Sequence, residues 1–181
     1  MQPEKIGSET VYEGKVFDIR VDEIREGDVE YKREIVVHPG SAVIVPVFDD
    51  GTVALVRQYR HAAGKHLLEI AAGTLEEGED PRTGAIRELE EEIGVTAQRI
   101  EKLCEFFVSP GFLTEKMHIF LATGLTEVGQ KLESDEILTV ERHSFEKLRE
   151  MIQNGEIEDA KTMVGVTMAS NSGLFERGSN G

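Results

Sequence analysis

Residues 73–95 read GTLEEGEDPRTGAIRELEEEIGV, a glycine-containing loop followed by a short helix. Asp80 suits the N-cap of that helix, Pro81 its first position, and Gly94 the residue after its C-terminus. Apolar residues mark one side of the helix: Ala85, Ile86, Leu89 and Ile93. We therefore expect the helix to pack through that side and to turn its carboxylates to the opposite or flanking face, towards a cleft.

Three carboxylates, Glu88, Glu91 and Glu92, share that charged face and are called the carboxylate cluster below. Glu88 and Glu92 are four residues apart, and like charges at this spacing repel by roughly 0.2–0.5 kcal/mol. Glu91 adds to the repulsion because positions three apart lie on nearly the same face. A divalent cation with oxygen ligands removes the repulsion, so the pattern predicts a metal site. A solvated acidic helix is the alternative.

Composition limits the class of protein. The chain has 181 residues, which suits one domain with an appendage. Its net charge of -15 argues against binding to nucleic acid or to an anionic membrane. Cys104 is the only cysteine, no apolar run could span a bilayer, and the first residues do not resemble a secretory signal. We therefore expect a reduced, cytoplasmic protein.

The pattern of apolar residues predicts an N-terminal β-hairpin arm followed by a larger domain. The arm consists of extended segments at residues 11–24 and 29–37, and His38-Pro39-Gly40 marks its end. We expect the arm over residues 1–40, the main domain over 41–170 and a flexible tail over 171–181.

Strands, one helix, more strands and two final helices follow one another in the main domain. The expected strands are residues 42–48, 52–59, 67–72, 99–108, 116–123 and 137–142. Asp50-Gly51 predicts a hairpin between the first two of these strands. Ser144 and Asp159 are the expected caps of the final helices. This order predicts an α/β (α+β layered) fold with a mixed sheet between helices.

The opening stretch also fits a longer pattern: Gly, five residues, Glu, seven residues, Arg-Glu, an apolar residue, any residue, Glu-Glu, any residue, Gly and an apolar residue. The specified positions are Gly73, Glu79, Arg87, Glu88, Leu89, Glu91, Glu92, Gly94 and Val95. This pattern resembles the Nudix box of the Nudix hydrolase superfamily, and no specified position departs from it. The resemblance implies a Nudix-type α/β/α sandwich, with the box as a loop–helix–loop.

In that family the box binds the cations that accompany a diphosphate. The resemblance implies that Glu88 and Glu92 are direct metal ligands and that the carbonyl of Ala72 is another. It also implies that Glu91 is a shared or water-mediated ligand and takes part in catalysis. Arg87 would orient the carboxylates. The expected ion is Mg²⁺, with Mn²⁺ as the alternative, and two or more ions would act at each site.

The sequence SPGF at residues 109–112 resembles the ADP-ribose pyrophosphatase subgroup, because Pro110 lies fifteen residues beyond the box. An isolated SPG is only a turn, and GDP-sugar hydrolases of the superfamily can carry it too. The resemblance places Pro110 and Gly111 near the substrate. Glu115, five residues after Pro110, is a candidate for contact with a ribose hydroxyl or a metal-bound water. Arg57 and Arg60, at a strand end, are candidates for its phosphates or terminal ribose, with plain solvation as the alternative.

Residues 31–40, YKREIVVHPG, resemble the arm that this subgroup exchanges with a partner subunit. The resemblance implies a homodimer in which Arg33 contacts the substrate and Tyr31 stacks on the base. A tyrosine at a sheet edge or in the core is the other interpretation of Tyr31.

The catalytic base is expected on the loop LESDE, residues 132–136. Glu136 is the first candidate and Glu133 the second, since either carboxylate can take a proton from water. Asp135 is a candidate for a ligand of a third metal ion or for no role.

These residues together predict Mg²⁺-dependent hydrolysis of ADP-ribose to AMP and ribose 5-phosphate. Within the same class, the substrate could instead be a GDP- or UDP-sugar or another nucleotide sugar, NADH or a dinucleoside polyphosphate. A non-catalytic ADP-ribose sensor is the alternative from another class. The complete box and the lack of a basic DNA-binding segment argue against a sensor.

Overall fold

The computed structural model describes residues 2–132, 134 and 136–173. The chain divides into two compact units, Met1–Gly40 with Phe106–Met117 and Ser41–Glu105 with His118–Gly181. The first unit carries the arm and the SPGF turn, and the second carries the box.

The arm is a three-stranded antiparallel sheet of β1 (Glu4–Glu13), β2 (Asp18–Glu26) and β3 (Val29–Val37) in that order. The predicted hairpin is present as β2 and β3, with a positive φ of 62° at Gly27. The predicted segment 11–24, however, is divided between two strands. The chain bends between them, where the Gly14 N–H donates to the Asp18 carboxylate at 3.1 Å.

The SPGF turn lies against the end of β3. The Val36 N–H donates to the Phe112 carbonyl at 2.7 Å, and the Thr114 N–H donates to the Val36 carbonyl at 3.0 Å. His38 completes this junction, because its N–H donates to the Thr114 hydroxyl at 2.8 Å. The first unit is therefore made of two segments that are distant in the sequence.

Two further sheets and three α-helices are present in the rest of the described residues. The four-stranded sheet has the order β7 (Ala72–Thr74), β4 (Ser41–Pro46), β9 (Lys116–Glu127) and β8 (Val95–Phe107). The three-stranded sheet has the order β10 (Leu138–Ser144), β5 (Thr52–Arg60) and β6 (Lys65–Glu69). The helices are α1 (Pro81–Glu88), α2 (Phe145–Gln153) and α3 (Ala160–Ser172).

Strand β4 is buried along its whole length because helices cover both of its faces. A Cβ placed at Gly84 of α1 would lie 3.1 Å from the Cβ of Ala42. A Cβ at Gly165 of α3 would lie 3.1 Å from a methyl group of Val45. Ala42 and Val45 are an odd number of residues apart and so point to opposite faces of the strand. The predicted α/β sandwich is confirmed.

One predicted strand pairing and one predicted strand are wrong. The Asp50-Gly51 turn forms, with the Phe48 N–H bonded to the Thr52 carbonyl at 2.9 Å, but β4 and β5 then diverge into different sheets. The predicted strand 67–72 is likewise divided between β6 and β7, which also belong to different sheets. Short apolar runs indicate that a strand is present, but they do not specify its partner.

The predicted helix caps are confirmed. The Asp80 carboxylate accepts from the backbone N–H of Arg82 at 3.1 Å and of Thr83 at 3.2 Å. Ser144 caps α2, and Asp159 caps α3. Within the part of the chain that the structure describes, every helix is too short or too polar to cross a membrane.

Candidate active site

The helix of the box changes geometry halfway along. After α1, residues Leu89–Ile93 are π-helical, and Gly94 ends the helix with a φ of 76°. We call Leu89–Ile93 the π segment. The π segment carries Glu91 and Glu92, so the regular α-helix expected through residue 93 is interrupted at two of the three members of the carboxylate cluster.

Glu88 and Glu92 are buried, with 5% and 3% of their surface exposed. The Glu92 carboxylate accepts from the backbone N–H of Ala72 at 3.1 Å. The Glu88 carboxylate lies directly over Gly73, where any side chain would collide with it. Both carboxylates are thus held against the first residues of β7. They are more deeply buried than the predicted position on a helix face towards a cleft implied.

Burial raises the pKa of Glu88 to about 7, although the neighbouring Arg87 opposes the change. Burial also raises the pKa of Glu92 to about 8, and the charge of Glu88 adds to the increase. The charge of Glu136 raises the pKa of both groups as well. The ionised form of this pair is therefore unfavourable unless positive charge lies next to it.

Arg87 connects the loop of the box to its helix. Its Nη1 donates to Glu88 at 2.5 Å and to Glu91 at 3.1 Å. On the loop side, Nε donates to Glu79 at 3.3 Å and Nη2 to the Thr74 carbonyl at 3.3 Å. Partial burial would lower the pKa of Arg87, but these hydrogen bonds raise it, so the guanidinium stays charged. Its position fixes two members of the carboxylate cluster.

The loop after β9 docks on the C-terminal end of the π segment. The last carbonyls of a helix have no partner within the helix, and here this loop supplies the donors. The Gln130 side chain donates to the Glu92 carbonyl at 2.6 Å, and the Lys131 N–H donates to the Glu91 carbonyl at 3.1 Å. A Cβ at Gly94 would lie 2.7 Å from the Gln130 nitrogen. Gly94 is therefore required for the helix end and for the docking of this loop.

The docked loop leads to the residues predicted to supply the base. Glu136 is half-buried, and its charge acts on both Glu88 and Glu92. This places Glu136 within electrostatic range of the carboxylate cluster. Glu133 and Asp135 lie outside the described residues.

Arg57 and Arg60 point to opposite faces of β5. Val56 packs in the same buried cluster as Leu89 of the π segment, and Arg60 follows on that face because side chains alternate along a strand. Arg60 forms a two-bond ion pair with Glu69, both bonds at 2.8 Å. Arg57 lies on the other face, where it binds Glu141 at 2.5 Å. Of the two arginines, only Arg60 shares a face with the residues that pack against the box.

The other predicted substrate contacts lie in the first unit. Tyr31 and Arg33 are on one face of β3, with the guanidinium 4.1 Å from the centre of the tyrosine ring. Pro110 and Gly111 form the exposed part of the turn. Glu115 lies 3.9 Å from the His38 ring. These five residues are therefore divided between the arm and the SPGF segment that pairs with it.

Sequence reasoning missed a buried charged network around Glu69, which is 1% exposed and also binds Lys161. The signal was available: Glu69 interrupts the apolar run LLEIAA at residues 67–72. A carboxylate in such a run requires a charged partner when it is buried. The identity of that partner, ninety-two positions further along, has no local signal.

Comparison with known proteins agrees with this geometry. The model of the NUDIX domain matches residues 38–164. The chain belongs to the Nudix family. An ADP-ribose pyrophosphatase of Bacillus subtilis (strain 168) is 37% identical over 169 residues, which cover 92% of this chain and 91% of that protein. A methanol dehydrogenase activator of Bacillus methanolicus is 37% identical over 165 residues, which cover 89% of each.

The fold also matches a solved structure. The crystal structure of an ADP compounds hydrolase superposes with a TM-score of 0.85, covering 99% of this chain and 97% of that one at 21% identity. The resemblance of residues 73–95 to the Nudix box and the expected Nudix-type fold are both confirmed.

ADP-ribose pyrophosphatases of the Nudix family generally depend on a divalent metal, and the donors of this Nudix box fit one. Glu88 and Glu92 are buried carboxylates with raised pKa. The Glu88 carboxylate fits over Gly73 only because Gly73 has no side chain. Carboxylate and carbonyl oxygens are the ligands of hard divalent cations. Within the described ranges, no group of three or more His, Cys, Asp or Glu converges as a metal ion requires. Arg87 lies between Glu88 and Glu91 instead.

The raised pKa of Glu92 predicts that Glu92→Gln stabilises the fold in the presence of a chelator at pH 8. The folded state holds a proton on Glu92 up to about pH 8, against an ordinary value of 4.5. The wild type therefore loses stability as pH rises between these values. The free energy of unfolding of the variant should exceed that of the wild type by about 1–3 kcal/mol at pH 8 and by almost nothing near pH 4.5. The gain at pH 8 is smaller than the full pKa shift would give, because Glu88 shares the repulsion.

Urea unfolding with EDTA at both pH values measures this difference. Glu90→Gln is the matched control, because Glu90 lies on the same segment and is only half-buried. A Glu92→Gln protein that is less stable than the wild type at pH 8 would contradict the burial argument.

Proposed function

We propose that this Nudix protein is a divalent-metal-dependent pyrophosphatase that hydrolyses ADP-ribose to AMP and ribose 5-phosphate. The observation that carries the proposal is the pair of buried carboxylates, Glu88 and Glu92, fixed by Arg87 and by the Ala72 N–H. The similarity to the ADP-ribose pyrophosphatase of Bacillus subtilis over nearly the whole chain supports the substrate.

Glu88, Glu92 and the Ala72 carbonyl would hold the cations, with Glu91 as a shared or water-mediated ligand. Two or more Mg²⁺ or Mn²⁺ ions, when bound, would neutralise the diphosphate oxygens and lower the pKa of the attacking water. Arg87 orients Glu88 and Glu91 through its two hydrogen bonds. Positive charge beside the carboxylate cluster also keeps it ionised near neutral pH, which its burial otherwise opposes.

Glu136 is the proposed general base, because its carboxylate acts on both Glu88 and Glu92 and follows the docked loop. It would take the proton from the water that attacks one phosphorus. Glu133 remains the second candidate for the base, and Asp135 a candidate for a further ligand.

Arg60 is the stronger candidate for a phosphate contact, since it shares a face with the residues that pack on the box, and Arg57 remains the other. Tyr31 and Arg33 are proposed to contact the nucleoside part of the substrate. The SPGF segment would contribute Pro110, Gly111 and Glu115. A cytoplasmic location is proposed from the single, unpaired Cys104.

Release of AMP from ADP-ribose by the purified protein with Mg²⁺ tests the activity. A panel of GDP-mannose, a UDP-sugar, NADH and a dinucleoside polyphosphate, with phosphate readout after phosphatase treatment, tests the substrate. ADP-ribose should give the highest kcat/KM. Glu92→Gln should lower kcat by at least about 100-fold, because a metal ligand is lost.

Glu90→Gln is the matched control and should retain wild-type kcat. A higher kcat/KM for another member of the panel would show that this compound, and not ADP-ribose, is the preferred substrate. Equal activity of Glu92→Gln and the wild type would contradict the metal assignment. A lack of hydrolysis of any panel member would contradict the enzymatic function itself.

We also propose that the protein is a homodimer through its arm. A small sheet is stable when its hydrophobic face is covered. The arm leaves several large apolar side chains exposed: Val11, Tyr12, Val16, Phe17 and Val29. Small-angle X-ray scattering at micromolar concentration should give the mass of two chains, and replacement of Val11 and Val29 by Lys should shift it towards one. A wild-type mass of one chain would contradict the proposal.

A further inference from the structure

Arg60 is held by a charged network that connects β6 to the start of α3. Glu69 accepts two hydrogen bonds from Arg60, at 2.8 Å each, and another from the Lys161 ammonium group. Lys161 also donates to Asp159 at 3.0 Å. Glu69 and Lys161 are 1% and 8% exposed. The Nudix box residues described above include none of these four.

Hydrogen bonds and neighbouring positive charge keep Glu69 ionised in this network. Burial alone would raise the pKa of Glu69, but the bonds from Arg60 and the charge of Lys161 hold it below its ordinary value. Two cations and two carboxylates are present, so the network is balanced. Removal of one buried partner would leave an uncompensated charge.

The position of Arg60 in this network determines what its guanidinium can contact. Glu69 occupies Nε and Nη2, and among the described residues Nη1 has no hydrogen-bond partner. About 40% of the side chain is exposed. The Glu69 hydrogen bonds raise the pKa of Arg60 and partial burial opposes them, while the charge of Glu92 adds to the increase. The Arg60 guanidinium therefore lies within electrostatic range of Glu92 in the carboxylate cluster.

Lys161 affects the charge that Arg60 can offer. If Glu69 were paired with Arg60 alone, its negative charge would cancel most of the positive potential that Arg60 presents to a third group. Glu69 is shared between two cations, so Lys161 offsets part of its negative charge. Arg60 then keeps more positive potential on its outer edge, and the low polarity around the buried pair makes this difference larger than it would be in water.

We infer that Glu69 and Lys161 are positioning residues for the substrate diphosphate: Glu69 fixes the guanidinium of Arg60 beside the carboxylate cluster, and Lys161 neutralises Glu69 so that Arg60 can bind a phosphate oxygen. The inference rests on the proposed function. Neither residue touches the substrate, and each acts through Arg60.

A double-mutant cycle on residues 60 and 161 tests this inference, with kcat and KM for ADP-ribose measured at saturating Mg²⁺. Arg60→Ala should raise KM by about 10- to 100-fold, the range expected for hydrogen bonds to a charged group. Lys161→Met should raise KM by about 5-fold or more and change kcat by less than about 3-fold. The double variant should have the KM of Arg60→Ala alone, because Lys161 acts only through that arginine.

Two further variants separate positioning from stability. Lys161→Arg keeps the charge and should retain a KM within about 3-fold of wild type. Lys65→Met is the matched control: Lys65 is half exposed and pairs with Glu158, and its loss should leave KM unchanged. Thermal unfolding of each variant establishes that the assays use folded protein.

The outcomes are distinct. If the fold-changes in KM multiply in the double variant, Lys161 has a separate, structural effect and the inference is overturned. Hydrolysis of ADP-ribose by the wild type would still uphold the proposed function. A Lys161→Met variant with lowered kcat and unchanged KM would overturn it as well. A wild type that hydrolyses no ADP-ribose would overturn the proposed function and, with it, this inference.

Discussion

The structure depends on holding two carboxylates, Glu88 and Glu92, in a buried position where their ionised forms repel each other. Burial raises the pKa of both groups towards or above neutrality. Their neighbours oppose this through two interactions: the Arg87 guanidinium donates to Glu88, and the Ala72 N–H donates to Glu92. Arg60 also acts on Glu92, but it is already paired with Glu69. The positive charges near these carboxylates therefore do not balance them, which favours the binding of a cation at this position.

Much of the surrounding structure serves this arrangement. Gly73 lets the Glu88 carboxylate approach the backbone of β7, and Gly94 lets the loop after β9 approach the helix end. Gln130 and Lys131 then satisfy carbonyls of the π segment. The glycines of the Nudix box are therefore requirements of close packing around charged groups as well as of backbone conformation.

The sequence predicted the features that have local causes. Asp80, Pro81 and Gly94 specified the ends of the box helix, because capping depends on a few adjacent residues. The spacing of Glu88 and Glu92 with Arg87 indicated the family, which the match over residues 38–164 confirms. The alternation of apolar residues indicated most strands, although the sheets to which β4 and β5 belong were not predicted.

Features that depend on distant residues could not be predicted in the same way. The change to π-helical geometry at Leu89 could not be predicted, because a segment of five residues is too short to show its own periodic pattern of apolar residues. The pairing of Glu69 with Lys161 joins residues ninety-two positions apart. The motif RQYR made both Arg57 and Arg60 candidates for the substrate, with solvation as the alternative. Their separation onto two faces follows from alternation along β5.

The central claim is that the carboxylate cluster and the start of β7 form a cation site for a diphosphate. A crystal structure with Mn²⁺ and a non-hydrolysable analogue of ADP-ribose tests it most directly, because anomalous scattering identifies the ion. Mn²⁺ should lie about 2.0–2.6 Å from carboxylate oxygens of Glu88 and Glu92 and from the Ala72 carbonyl, and it should also contact the diphosphate. Mn²⁺ bound to the diphosphate with neither Glu88 nor Glu92 among its ligands would contradict it.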